Sequence, residues 1–306
     1  MLRGAVSTHR ALIVLLLLAS ACGSKKTENT SAGSGSGSGS AAIDSVTLAA
    51  SYDKKCVAGD LEACRSLAIM YTEGVGVKQD LRKSTALFGQ SCNGGNLAAC
   101  NQVALALVEG VGVEKDVPKA VELYQKACDG GYKLACRNLG LMLRDAHGVA
   151  ADLERAAKLL DLACQGTAPY ACTNAGDLDV TRGLLKESVG HYKKGCDDGD
   201  GVACRHMGIA YLEGTGLPTS TAAASVWLDR GCRADDPIAC RVLGAMRVQG
   251  VGVAQDIALG TQLLQRACDH KDADACVALA SLHAGSGSGA GSGSTAGSGS
   301  DAGSKR

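Results

Sequence analysis

The spacing of its cysteines limits what this chain can fold into more than any other feature does. Fourteen of the 15 cysteines form seven pairs with seven residues between partners. Cys56 pairs with Cys64, Cys92 with Cys100, Cys128 with Cys136, and Cys164 with Cys172. In the second half of the chain Cys196 pairs with Cys204, Cys232 with Cys240, and Cys268 with Cys276. Successive pairs are 36 residues apart, except for one step of 32 between Cys164 and Cys196. A period in the thirties marks an array of helical repeats.

Other positions keep the same register. Alanine precedes every second cysteine: Ala63, Ala99, Ala135, Ala171, Ala203, Ala239 and Ala275. Three residues after that cysteine comes an apolar side chain such as Leu67, Val103, Leu139 or Met207, and four after it Ala or Gly, as in Ala68, Gly140 and Gly208. Offsets of three and four trace one face of a helix, here called helix A, with small residues where a neighbour comes close. A Gly-x-Gly turn follows in most units, most clearly at Glu73–Val77, Glu109–Val113 and Gln249–Val253. Asp80, Asp116, Asp152, Ser220 or Asp256 then stands directly before the next helical pattern, as an N-cap would. Helix B carries apolar pairs such as Leu87-Phe88, Leu123-Tyr124 and Trp227-Leu228, and it ends at the first cysteine of the next pair.

One continuous helix cannot hold a bonded pair. Eight residues of α-helix rise about 12 Å, whereas a disulfide needs Cα atoms within about 7 Å. The chain must therefore reverse between the two cysteines, so that each pair staples helix B to the following helix A. Closing a nine-residue loop contributes about 2–3 kcal/mol in the chain-entropy model. Zinc would prefer two to four residues between paired cysteines, and no histidine recurs in the repeat, so no metal or cofactor is expected. With one Phe and one Trp in 306 residues, Ala, Leu, Gly and Cys must do the packing.

Together, the Ala-Cys step, the Leu-Gly step and the Gly-Val-Gly-Val…Asp turn resemble Sel-like repeats, relatives of the tetratricopeptide repeat. The paired cysteines make the chain similar to the bacterial cysteine-rich branch called Hcp. The resemblance covers about Val46–His283 and implies an all-α, right-handed α/α superhelical solenoid of seven disulfide-stapled hairpins. For function it implies adaptor and scaffold roles, and for some Hcp members penicillin binding or weak β-lactam hydrolysis.

The first residues read as an export signal: Arg3 and Arg10 form a basic leader and Ala11–Leu18 an apolar run too short to span a bilayer. Ala19-Ser20-Ala21-Cys22 resembles the lipobox of bacterial lipoproteins, although Ala19 stands where that pattern prefers Leu. The resemblance implies cleavage before Cys22 and diacylation of its thiol, and Gly23 after it favours the outer membrane. The organisation expected is a signal peptide over residues 1–21, a Gly/Ser-rich tether over 22–41, the solenoid over 42–283 and a disordered Gly/Ser-rich tail over 284–306. An exported protein reaches an oxidising space in which cysteine pairs form and persist.

Zero net formal charge with interspersed signs argues against nucleic acid as a partner. No catalytic residue stands out. Ser51-Tyr52-Asp53-Lys54 fits Ser-x-x-Lys, but Ser-Asp-Asn and Lys-Thr-Gly are missing, and Tyr52 fills the slot of Phe88 and Tyr124 in helix B. The Gly-x-Gly turns lie between helices rather than after a strand, and read as turns rather than phosphate loops. His147, His191, His206, His270 and His283 occupy unrelated repeat positions and read as scattered surface or turn residues, with His191 in a slot that elsewhere holds leucine. Trp227 falls in the same leucine slot and reads as packing. The fourth unit replaces its turn with Asp177–Gly183, four residues shorter, a change expected to alter curvature and open to a ligand notch. The reading is a non-enzymatic scaffold in the cell envelope, gripping an unidentified protein or peptide on its concave face and meeting the membrane through its lipid anchor only. Binding or slow hydrolysis of β-lactams is the alternative.

Overall fold

The computed structural model describes residues 44–287. The leader, Cys22 and the tether therefore lie outside the described residues, as does the tail from residue 288. Fourteen helices and no strand make up the described part. The B helices are α1 (Ser45–Val57), α3 (Leu81–Asn93), α5 (Val117–Asp129), α7 (Leu153–Gln165), α9 (Leu185–Asp197), α11 (Thr221–Arg233) and α13 (Ile257–Asp269). They alternate with the A helices α2 (Leu61–Glu73), α4 (Leu97–Glu109), α6 (Lys133–Arg144), α8 (Ala171–Thr181), α10 (Gly201–Glu213), α12 (Pro237–Gln249) and α14 (Ala273–Gly287). The last helix thus runs four residues past His283.

All seven cysteine pairs are closed across the B-to-A reversal, each partner bonded to the one eight positions away. Cys56 is bonded to Cys64 and Cys92 to Cys100, each with Cα atoms 4.6 Å apart. Cys128 is bonded to Cys136 at 4.7 Å and Cys164 to Cys172 at 4.5 Å. Cys196 is bonded to Cys204 at 4.6 Å, Cys232 to Cys240 at 4.5 Å and Cys268 to Cys276 at 4.8 Å. The reversal needs one residue in the left-handed region, three places after the first cysteine. Gly59, Gly95, Gly131 and Gly199 supply it without strain, whereas Thr167, Asp235 and Lys271 adopt it with side chains. An acid or amide then caps most A helices: Asp60, Asn96, Asp200, Asp236 and Asp272 each accept first-turn amides.

The A-to-B turns close as their residues require. Asp80, Asp116, Asp152, Ser220 and Asp256 each accept the amide three residues on. The second glycine of the turn does more than provide a positive φ. A Cβ at Gly112 would stand 2.1 Å from the Leu81 carbonyl oxygen, and one at Gly216 would stand 2.2 Å from that of Leu185. Each turn is thereby seated on the first residue of the preceding B helix.

The most extensive packing joins an A helix to the B helix that follows its turn, and successive A helices also touch one another. Small residues permit the approach: a Cβ at Gly208 would lie 2.6 Å from Leu228 Cγ, and one at Gly176 would lie 2.6 Å from a Tyr192 ring carbon. The alanine before each second cysteine is buried in all seven units, as are Phe88, Tyr124, Leu160, Tyr192, Leu228 and Leu264 in helix B. Full burial of one leucine contributes about 1.5–3 kcal/mol, so the disulfides are comparable in size to the largest side-chain contributions.

The first B helix breaks the pattern. The residue before the first cysteine is a buried Ser, Ala or Gly in the other six units (Ser91, Ala127, Ala163, Gly195, Gly231, Ala267). In α1 it is the exposed Lys55. A charged outer face is what a terminal repeat needs to stop further stacking.

In the fourth unit α8 has only 11 residues and three residues lead to α9. The hairpin still closes on the usual bond. Leu184 N–H donates to the Asp179 carbonyl at 2.8 Å, as Asp80 does to Tyr71 and Asp116 to Leu107 at 3.0 Å.

Candidate functional site

The shortened unit gathers ionisable side chains that the regular units keep apart. Asp179 occupies the last full turn of α8, and its side chain is only 7% exposed. It accepts a 2.7 Å hydrogen bond from His191 Nδ1 on α9, while Arg182 Nη1 approaches to 3.8 Å. The other ring nitrogen of His191 is 3.1 Å from Asp161 on α7. Two residues earlier on α8, Asp177 accepts the Tyr192 hydroxyl proton at 2.8 Å. The His206 ring, from α10, stacks on Tyr192 with centroids 4.7 Å apart and planes 13° from parallel, and its Nε2 lies 3.8 Å from Asp177. Two of the five histidines read as scattered are thus brought together through Tyr192 and a pair of aspartates.

Burial dominates the electrostatics. It pushes His206 below the ordinary histidine value, with Asp177 pulling the other way. It pushes the Tyr192 phenol far up, helped by the negative charge of Asp177. Asp236, the cap of α12, is raised by burial although it accepts the Ala239 amide at 2.6 Å.

A second polar line runs along the A helices, and in three units the residue after the second cysteine faces the capping aspartate of the next A helix. Thr173, after Cys172, hydrogen-bonds Asp200. Arg205 Nε, after Cys204, is 3.4 Å from Asp236 without pointing at it, and Arg241 Nε, after Cys240, donates to Asp272 at 3.1 Å. Earlier in the array Asn138 Nδ2 donates to Asn101 Oδ1 at 2.9 Å. Together these side chains form a polar row over α4 to α12 on the side where A helices meet.

The remaining candidates stay structural. Tyr52 packs beside Leu48, Ala49, Leu67, Met70 and Tyr71, which leaves Ser51-Tyr52-Asp53-Lys54 as an ordinary stretch of α1. Trp227 is half-buried against the Cys196–Cys204 bridge, with the Arg230 guanidinium 4.7 Å above its ring. No group of three or more His, Cys, Asp or Glu among the described residues is arranged to hold a metal ion. No helix among them is long and apolar enough to cross a membrane.

A disulfide-bridged A/B array with this turn chemistry is a Sel-like repeat solenoid. The chain belongs to the Sel1 repeat family, whose model matches residues 61–96, 97–132, 133–166, 201–236 and 237–272, more than half of the sequence. Each matched repeat begins with helix A, so the disulfides join one repeat to the next. The segment passed over, 167–200, holds the shortened turn and Asp177, Asp179, His191 and Tyr192.

Among solved structures the chain is similar to c5321, described as a protective antigen present in uropathogenic Escherichia coli with an SLR fold. The TM-score is 0.69 at 25% identity, over 80% of this chain and 53% of that one. The chain therefore spans about half that protein's length. A Sel1 repeat protein from Oxalobacter formigenes shares the fold, with a TM-score of 0.60 at 19% identity, covering 72% of this chain and 96% of the other. Helicobacter pylori cysteine-rich protein B also matches, at TM-score 0.37 and 23% identity over 42% of this chain and 96% of its own. No curated protein matches the sequence. Seven disulfides point to an oxidising compartment outside the cytoplasm.

Proposed function

We propose that the protein is a non-enzymatic scaffold of the bacterial cell envelope, tethered to the outer membrane through a lipidated Cys22, that grips a protein or peptide along its A helices. Sel1 repeat proteins are in general interaction scaffolds, and a solenoid binds along the extended surface that its repeats build together. The reading takes the A row, whose helices touch their A neighbours, as the inner, concave side. The observation carrying the reading is the polar row on the A side, where side chains pair between α4 and α6 and again from α8 through α12 to Asp272. On the B side the exposed apolar residues, such as Val57, Val226 and Ile257, belong to separate units.

A photocrosslinking residue placed at Gln102 or Ile209 on the A side, or at Val226 on α11, tests this in intact cells. A discrete adduct from the two A positions and none from Val226 is expected. Equal labelling from Val226 would end the proposal. Palmitate labelling that survives Cys22→Ala would end its lipid-anchor part.

A further inference from the structure

The two ends of the array are unlike. At the first, α1 exposes Asp53, Lys54 and Lys55, a charged face that opposes further stacking. At the last, α14 carries Asp274 in its first turn and no Asp, Glu, Lys or Arg from Ala275 to Gly287. Among the described residues α14 also lacks a following B helix, the element with which every other A helix packs most extensively.

The sequence of α14 nevertheless keeps the pattern of a covered helix. Four residues after the second cysteine, Ala68, Ala104, Gly140, Gly176, Gly208 and Gly244 are all buried, the four glycines against the next B helix. In α14 that position is Ala280, equally small but exposed. One residue after the cysteine, where the other units place Arg, Asn or Thr, stands Val277, 66% exposed. An exposed valine beside an uncovered alanine, on a helix without charge, is a packing face that lacks its other half.

The spacing of that face identifies what fits it. Ala273, Val277, Ala280 and Ala284 are all exposed and follow one another at steps of 4, 3 and 4 residues, along one side of the helix. The steps read the same in both directions. An antiparallel copy therefore sets Val277 over the partner's Ala280 and receives the partner's Val277 over its own Ala280. A two-fold interface requires that self-complementarity. Residues 288–306 contain no apolar side chain larger than alanine, and so nothing like the Leu228 or Leu264 that fills this place elsewhere. The lysines of α1 would find no counter-charge on α14 beyond Asp274, which disfavours a head-to-tail stack.

We propose that α14 is a self-association surface on which two copies of the chain pair antiparallel, across a two-fold axis between Val277 and Ala280. A single helix face falls short of the about 800 Å² per partner of a standard interface, so the contact is a weak one. It uses the end of the array rather than its length, and it holds whether or not the A helices grip a partner.

Sedimentation equilibrium of the purified full chain from about 5 to 500 µM spans the range of a weak dimer. A monomer–dimer equilibrium that stops at two is expected. Val277→Lys and Ala280→Glu, both at exposed positions, should each weaken it by about tenfold or more, because each places an unpaired charge in the seam. An equimolar mixture of the two variants should associate more tightly than either alone, since the antiparallel register sets the new lysine against the new glutamate. Val46→Lys, on the exposed face of α1, should leave the dimer unchanged. A chain that stays monomeric throughout, or association that runs on past two as a head-to-tail contact does, would overturn the proposal. So would weakening by Val46→Lys, a mixture no tighter than its parts, or a dimer that survives either α14 substitution in a protein with unchanged far-UV circular dichroism.

Discussion

Arg182 Nη2 lies 2.7 Å from Glu154 Oε1, tying the end of α8 to the first turn of α7. In regular units that place is filled by the second glycine of the turn, as Gly112 sits on Leu81. The fourth unit has no such glycine, and an arginine that also approaches Asp179 takes over. Glu154 is 75% exposed, so the ion pair itself is worth less than about 1 kcal/mol. Glu154→Gln should therefore change stability by under about 1 kcal/mol in urea unfolding. Arg182→Ala also withdraws a charge from the nearly buried Asp179 and should cost about 1–2 kcal/mol. It should speed amide exchange at Leu184, whose N–H closes the hairpin onto Asp179. Unchanged exchange there would deny Arg182 this bridging role.

Ala146 has a φ of 52° at the position where Gly74, Gly110, Gly214 and Gly250 have values of 72–76°. Lys271, with a φ of 69°, stands where other units use Gly59, Gly95, Gly131 and Gly199. Relieving a left-handed residue returns about 1–2 kcal/mol, while glycine gives back about 0.4–1 kcal/mol through the unfolded chain. Ala146→Gly and Lys271→Gly should each raise stability by about 0.5–1 kcal/mol. Gly112→Ala should do the opposite and more strongly, because its Cβ would meet a carbonyl oxygen at 2.1 Å. A stabilised Gly112→Ala protein would show that the turn is not seated as described.

Most of the architecture was legible because the repeat states the same instruction several times. The cysteine spacing alone demanded a reversal between partners, and five N-caps from Asp80 to Asp256 each accept the expected amide. The caps of the A helices were missed although Asp or Asn stands four places before the second cysteine in five units. They are Asp60 before Cys64, Asn96 before Cys100, Asp200 before Cys204, Asp236 before Cys240 and Asp272 before Cys276. The polar cluster was not legible. His191 lies five residues before one cysteine and His206 two residues after the next, and no helical period relates such positions. His206 joins the cluster only because α10 lays its ring on Tyr192 of α9.

The disulfides join repeats, so their loss should depend on place. Removing one nine-residue loop closure costs about 2–3 kcal/mol, and in a one-dimensional array that loss acts on one interface. Cys268→Ser combined with Cys276→Ser, at the last hairpin, should fray α14 and leave the rest protected from exchange. Cys128→Ser combined with Cys136→Ser should instead divide the array and lower the unfolding midpoint of the units on both sides. Peptide mapping without reductant should recover only partners eight positions apart. Bridges between distant units would contradict the array.

The pH dependence should come from His206. Asp177, Asp200, Arg205, Asp236 and the Tyr192 ring face its imidazole, and burial outweighs the acids to hold it below the usual value of 6.5. The folded protein therefore binds this proton less readily than the unfolded chain does. Stability from His206 is complete above about pH 6.5 and is lost as pH falls from there through the folded value, no more steeply than about 1.4 kcal/mol per pH unit. Asp236, which is raised, works in a separate window: its contribution is present below 3.8 and declines as pH climbs through its folded value. His206→Phe keeps a ring stacked on Tyr192 and should flatten the loss below pH 6.5. Asp177→Asn can still accept from the Tyr192 hydroxyl but removes the charge that favours imidazolium, so it should carry the loss to lower pH. Urea midpoints measured between pH 5 and 8 for the three proteins decide the matter, and an unaltered profile in His206→Phe would assign the titration to another group.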